Sequence, residues 1–216
     1  MFRNRKAAGH ALSQQLRHWH GGDGVVLGLP HGGVPVAWAV ARALRLPLDV
    51  IVVRKIHPSN APWVTLGAVG EGGVSFVNLG VVASCDVDLA ALASAQRRAG
   101  AELDGCAGPL RRRWPETPLH GRTAIVVDDG MASGATARVA CQVARNRGAA
   151  RVVVAAPVAF QHAVATVRPL ADEVVSLPQP VRRAAVGLYY HDFAPVTDAQ
   201  VAGLLQRSPR LSRAGG

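Results

Sequence analysis

Short, almost wholly apolar runs alternate with helix-patterned segments along this chain, and that alternation leaves few folds open. Residues 25–29, 48–53, 123–127 and 151–158 are such runs. They have the composition expected of strands buried on both faces. Residues 34–44 and 135–147 lie between them and carry helical periodicity. Pro35 sits in the first turn of one, where its missing N–H leaves no bond unmade. Gly148 stands just past the end of the other, a helix-stop position. Residues 162–170 and 173–177 continue the rhythm as a short helix and a strand. Strand–helix–strand order predicts right-handed crossovers, and hence an α/β fold with a doubly wound, mainly parallel sheet.

The other segments are less regular. Ala8, Leu12, Leu16 and Trp19 recur at helical spacing, so an amphipathic helix precedes the first strand, stopped by Gly21, Gly22 and Gly24. Residues 54–62 are polar with two prolines and read as a loop. The Gly-punctuated runs of 64–82 fit a hairpin, and residues 86–104 fit a helix. Residues 105–121, rich in Gly, Pro and Arg, read as a connection. Thr197 and Gln200 have capping-box spacing and should open a last helix.

Composition narrows the function classes. The formal charge of +10 favours polyanionic partners. Yet 22 of the 24 basic residues are arginine and they are dispersed, with Arg111-Arg112-Arg113 as the one run. Dispersed charge suits a solvated surface, so nucleic acid is a secondary expectation behind phosphorylated small molecules. Cys85, Cys106 and Cys141 are odd in number and follow no metal or disulfide spacing. The eight histidines have none either, and no structural metal is expected. The first residues lack the apolar core of a secretory signal. No uncharged apolar run approaches the roughly 18–20 residues a membrane span needs. A cytoplasmic, soluble protein without membrane contact is expected.

The chemistry concentrates at 125–136, where an apolar strand is followed by Asp128 and Asp129, a loop of small residues and a helix. In open parallel sheets, ligands sit beyond the carboxyl ends of the strands. The loop Ala132-Ser133-Gly134-Ala135-Thr136 enters a helix N-terminus, where backbone N–H groups and the helix dipole favour an anion. Ser133 and Thr136 add hydroxyl donors. The carboxylates would repel a phosphate but accept from vicinal hydroxyls. A ribose 5-phosphate meets both demands. Gly28-Leu29-Pro30-His31-Gly32-Gly33 forms a second strand-to-helix junction able to expose backbone N–H groups. It is neither a Walker loop nor a GxGxxG fingerprint. Arg54 and Lys55 end the next strand and could stabilise a departing anion.

These three motifs, in this order, resemble type I phosphoribosyltransferases. VVDDGMASGAT is similar to their motif for 5-phosphoribosyl-1-pyrophosphate (PRPP). The segments GLPHGGVPVA, VRK and GAVGEGG resemble a bacterial group of that family. The resemblance implies one domain over 1–216, with a core of about 8–66 and 121–177. A small hood would form from the inserted segment 67–120 and the C-terminal segment 178–216. It implies transfer of the phosphoribosyl group of Mg-PRPP to a nitrogenous base, with release of pyrophosphate. Asp128 and Asp129 would hold the ribose hydroxyls. Residues Ala132, Ser133, Gly134, Ala135 and Thr136 would hold the 5-phosphate, and His31, Gly32 and Gly33 the pyrophosphate. Arg54 and Lys55 would belong to the catalytic loop. Mg2+ would arrive with PRPP near Asp128 and Asp129, and a homodimer is expected.

The chain departs from the family in two places. Members often carry Arg where His31 stands. Ala132 replaces the Asp that serves as general base in hypoxanthine-type members. Residues 186–193 resemble the C-terminal base-site segment of that type, which would give Tyr189 or Tyr190 a stacking role; an aromatic core cluster in the hood is the preferred account of them. Glu71 fits a base, a metal-side residue or a turn carboxylate. Both departures also fit a non-catalytic PRPP- or nucleotide-binding regulator, some of which in this family bind nucleic acid. A methyltransferase-like alternative would leave 128–136 unexplained.

Overall fold

The computed structural model describes residues 1–179 and 184–208. Residues 180–183 and 209–216, part of the C-terminal segment assigned to the hood, lie outside the described residues.

In chain order the elements are α1 (Arg5–Gln15), β1 (Gly24–Gly28), α2 (Gly33–Leu44), β2 (Leu48–Val50), β3 (Val53–Ile56), β4 (Gly67–Gly70) and β5 (Val74–Val77). Then follow α3 (Leu79–Ser84), α4 (Leu89–Arg113), β6 (Thr123–Val127), α5 (Ala135–Asn146), β7 (Arg151–Ala156), α6 (Gln161–Val167), β8 (Glu173–Ser176) and α7 (Asp198–Gln206). Five strands form a parallel sheet in the order β2-β1-β6-β7-β8. Strands β3, β4 and β5 form a separate antiparallel sheet.

Side chains alternate across the parallel sheet, and both faces are covered. Leu27, Val126 and Val154 pack with Ala137, Val139 and Val143 of α5 on one face. Val26, Ile125 and Val153 pack with Leu12, Leu16, Val40, Leu44 and Leu204 on the other. Each fully buried Val, Leu or Ile contributes about 1.5–3 kcal/mol. That burial explains why strands of so few residues hold. The order turns on β1, since β2 lies on one side of it and β6 on the other. Gly28 pairs with Val127, so the two strands end level and their loops start side by side. This is the switch-point crevice where open α/β sheets bind ligands.

Two sequence expectations need correcting. The run 48–53 is not one strand. It leaves the parallel sheet after Val50, and Arg54 and Lys55 lie in β3 rather than in a loop. At the break the Val52 N–H donates to the Glu71 carboxylate (2.8 Å) instead of to a neighbouring strand. The segment 105–121 is helical to Arg113, with Pro109 inside α4. Cys106, Ala107 and Leu110 pack against the core there, and Arg111 enters a buried ion-pair network. Tertiary contact outweighs the helix-breaking composition.

In that network Arg111 bonds Glu71 through Nε (2.6 Å) and Nη2 (2.9 Å), and Asp49 through Nη1 (2.9 Å). Arg147 reaches the other Asp49 oxygen at 3.2 Å, and the N–H groups of Val50 and Thr117 complete the set. Glu71 is thus a structural carboxylate, joining α4 and β4 to the parallel sheet.

Candidate active site

The loops after β1 and β6 enclose a pocket of about 210 Å³. Leu29, Pro30, His31 and Gly32 form one wall, and Val53 and Lys55 a second. Asp128, Asp129, Gly130, Ala132, Ser133, Gly134 and Thr136 form the rest. Of the sequence candidates, the pocket thus gathers Lys55, both aspartates, His31, Gly32 and most of the phosphate loop. Gly33 and Ala135 are buried behind it in the first turns of α2 and α5. Arg54 is not among the lining residues. It precedes Lys55 in a strand, where neighbours point to opposite faces, and its Nη1 donates to the adjacent Val53 carbonyl.

Gly134 has φ of +78°, a left-handed conformation that turns the chain into α5. A Cβ there would also stand 2.8 Å from the Ala163 carbonyl oxygen. The Ala135 N–H donates weakly to Ser133 Oγ (3.4 Å). The first-turn N–H groups of a helix lack intrahelical acceptors, and Ser133, Gly134 and Thr136 line the pocket at this helix start. On the opposite wall a Cβ on Gly32 would collide with the Asp129 carboxylate. The two loops therefore touch only because Gly32 has no side chain.

The acidic pair is asymmetric. The Asp128 carboxylate accepts from the Asp129 N–H at 2.8 Å. Burial, and next the Asp129 charge, pushes the Asp128 carboxyl up to about 8, with Lys55 opposing. Asp129 is held from two directions. Arg5 Nε donates to its Oδ2 at 2.8 Å, and Tyr190 Oη donates to its carbonyl at 2.6 Å. Arg5 also donates to the Ala194 carbonyl and lies over the Phe193 ring, 3.9 Å from its centroid. Sequence reading missed Arg5, because a contact across 124 positions leaves no local pattern.

Tyr190 packs between Phe2 and Phe193, with ring centroids at 5.5 and 4.9 Å, and is 4% exposed. Tyr189, also buried, lines a separate groove with Phe160, His162 and Gln179. Neither tyrosine lines the pocket between the β1 and β6 loops. His31 follows a cis Pro30–His31 peptide. Its Nε2 meets Asp198 at 2.7 Å, tying the β1 loop to the start of α7. Asp198 too was absent from the sequence reading.

Among the described residues no cluster of three or more His, Cys, Asp or Glu side chains could hold a metal ion. The bonds from Arg5 and from the Asp129 N–H each engage one oxygen of their carboxylate, Asp129 Oδ2 and Asp128 Oδ1. Both aspartates line the pocket, and their oxygens suit a hard cation that keeps waters and shares substrate oxygens. They do not make a closed protein cage.

A parallel sheet with a loop-to-helix entry facing an acidic pair at its switch point is an α/β arrangement suited to a phosphorylated ligand. The family model for the phosphoribosyl transferase domain matches residues 3–191, and the chain belongs to that family. Its fold is of the type I phosphoribosyltransferase kind. Two Mycobacterium tuberculosis proteins, MT0597 of strain CDC 1551 / Oshkosh and Rv0571c of strain ATCC 25618 / H37Rv, are each 45% identical over 210 residues. Their names carry a provisional phosphoribosyl transferase designation. The match covers 97% of this chain, and the chain spans 47% of each of those proteins. The crystal structure of TT1426 from Thermus thermophilus aligns with a TM-score of 0.74 at 41% identity. It covers 94% of this chain and 97% of that one. No helix of the described residues is long and apolar enough to cross a membrane.

Proposed function

We propose that this domain transfers the phosphoribosyl group of Mg-PRPP to a nitrogenous base and releases pyrophosphate. One observation carries the reading: a single pocket joins the α5 entry loop, both aspartates, the Gly32 loop and Lys55. The α5 N–H groups with Ser133 and Thr136 bind the 5-phosphate. The carboxylates of Asp128 and Asp129 accept from the ribose hydroxyls. The backbone at 31–33 receives the pyrophosphate, and the Lys55 ammonium stabilises charge as it leaves. Mg2+, held through water near Asp128 and Asp129, would neutralise the pyrophosphate oxygens. Catalysis then rests on positioning and charge stabilisation, since Ala132 offers no base from the phosphate loop. The protein is proposed to act in the cytoplasm as a homodimer.

The test is pyrophosphate release from Mg-PRPP across a panel of purine, pyrimidine and smaller nitrogenous acceptors. Turnover with one acceptor supports transfer. PRPP binding without any turnover would instead favour a non-catalytic regulator. The engagement of His31 by Asp198 is the observation on that side, because it directs the ring toward α7. Failure of PRPP to bind at all removes both transfer and a PRPP-responsive regulator.

A further inference from the structure

A second groove, of about 400 Å³, lies between the start of α1, the 192–196 segment and α7. Arg5, Lys6 and Arg207 line it, with Asn4, Gln200 and Asp192. Its chemistry is one-sided. The Asn4 side-chain oxygen accepts from Ala7 N, capping α1. The Gln200 side-chain oxygen accepts from Thr197 N in the capping box of α7. Each amide oxygen is committed to its own helix end, so each NH2 group remains as a donor. Arg5 uses Nε and Nη1 on Asp129 and the Ala194 carbonyl, leaving Nη2. Among the described residues Arg207 bonds only the Gly203 carbonyl, through Nε. The Lys6 ammonium lies 5.1 Å from the centroid of the Trp38 ring and meets no carboxylate among the described residues.

Two of the groove's acceptors are already engaged. The Ala194 carbonyl is taken by Arg5, and one Asp192 oxygen by the Ala194 N–H. Asp192 is the one acidic residue of the lining. Arg207 also lines an adjoining groove with Trp38, Arg42 and Arg45. Among the described residues no carboxylate pairs with Lys6, Arg42, Arg45 or Arg207, unlike Arg111, Arg145 and Arg147. Pro35, Pro195, Val196 and Leu204 supply an apolar wall. Unbonded donors, unpaired cations and an apolar wall together suit a phosphate with an organic body.

We propose that this groove is a second anion site, distinct from the ribose pocket, that takes a phosphorylated small organic molecule. It stands independently of the reading of the catalytic pocket. The experiment is calorimetric titration of adenosine 5′-monophosphate at low salt into three full-length proteins. These are the wild type, the Lys6→Ala/Arg207→Ala variant and the Ser133→Ala/Thr136→Val variant. Both groove residues are exposed, so circular dichroism should match the wild type. The site predicts a binding event that survives Ser133→Ala/Thr136→Val and weakens about tenfold or more in Lys6→Ala/Arg207→Ala. Binding in Lys6→Ala/Arg207→Ala equal to wild type overturns it, as does complete loss in Ser133→Ala/Thr136→Val. If Lys6→Ala/Arg207→Ala abolishes binding and Ser133→Ala/Thr136→Val changes nothing, the groove stands and the phosphate-loop assignment falls.

Discussion

Asp128 and Asp129 are neighbours with different duties. Asp128 has a carboxyl raised to about 8 by burial and by its neighbour's charge, from an ordinary value of 3.8. Between those values the folded chain holds a proton that the unfolded chain has lost. This contribution is therefore complete below about 4, declines as pH rises, and is gone above about 8. Asp128→Asn should flatten that slope and stabilise the free protein at pH 8 by at least ~1 kcal/mol. Urea denaturation at a series of pH values measures it; an unchanged slope refutes it. Asp129 depends instead on Arg5. Arg5→Ala should weaken PRPP binding by roughly ten- to a hundredfold, the scale of a lost charged hydrogen bond. Arg5→Lys should recover part of the loss, and titration of PRPP into both variants reads the difference. The acidic pair and the loop after it were legible, because their chemistry is contiguous in sequence. Arg5 and Asp198 were not, since each acts on a residue more than a hundred positions away.

At the scale of elements, the short apolar runs announced every strand of the parallel sheet, and spacing found the helices on its faces. What escaped was the place where the chain changes sheets. Nothing in the uniform run 48–53 marks the break after Val50, which depends on a hydrogen bond to Glu71, nineteen residues on from Val52. The length of α4 was hidden for a related reason, as Arg111 reads like one more surface arginine. Removing that side chain leaves Asp49 and Glu71 charged without their main partner. Arg111→Leu should cost about 3–5 kcal/mol. For a chain of this size the melting temperature would then fall by about 6–20 °C. Adding Asp49→Asn and Glu71→Gln to Arg111→Leu should restore most of the loss. Calorimetry of the single and triple variants decides whether the network acts as a unit.

The molecule as a whole carries a formal charge of +10, and its expected substrate is a polyanion. Association of Mg-PRPP should slow by about tenfold between low and physiological salt, as field-steered encounters do. Stopped-flow fluorescence can follow it through the four tryptophans. A rate indifferent to salt would show that the positive surface lies away from the approach path. The hold on Asp129 has a further consequence, for the order in which the protein is made. The parallel sheet and the loop that enters α5 are complete at Ser176. Tyr190 and Ala194, with which Arg5 braces that aspartate, come later. A nascent chain can build its scaffold on the ribosome, yet the brace on Asp129 closes only after residue 194 has been made.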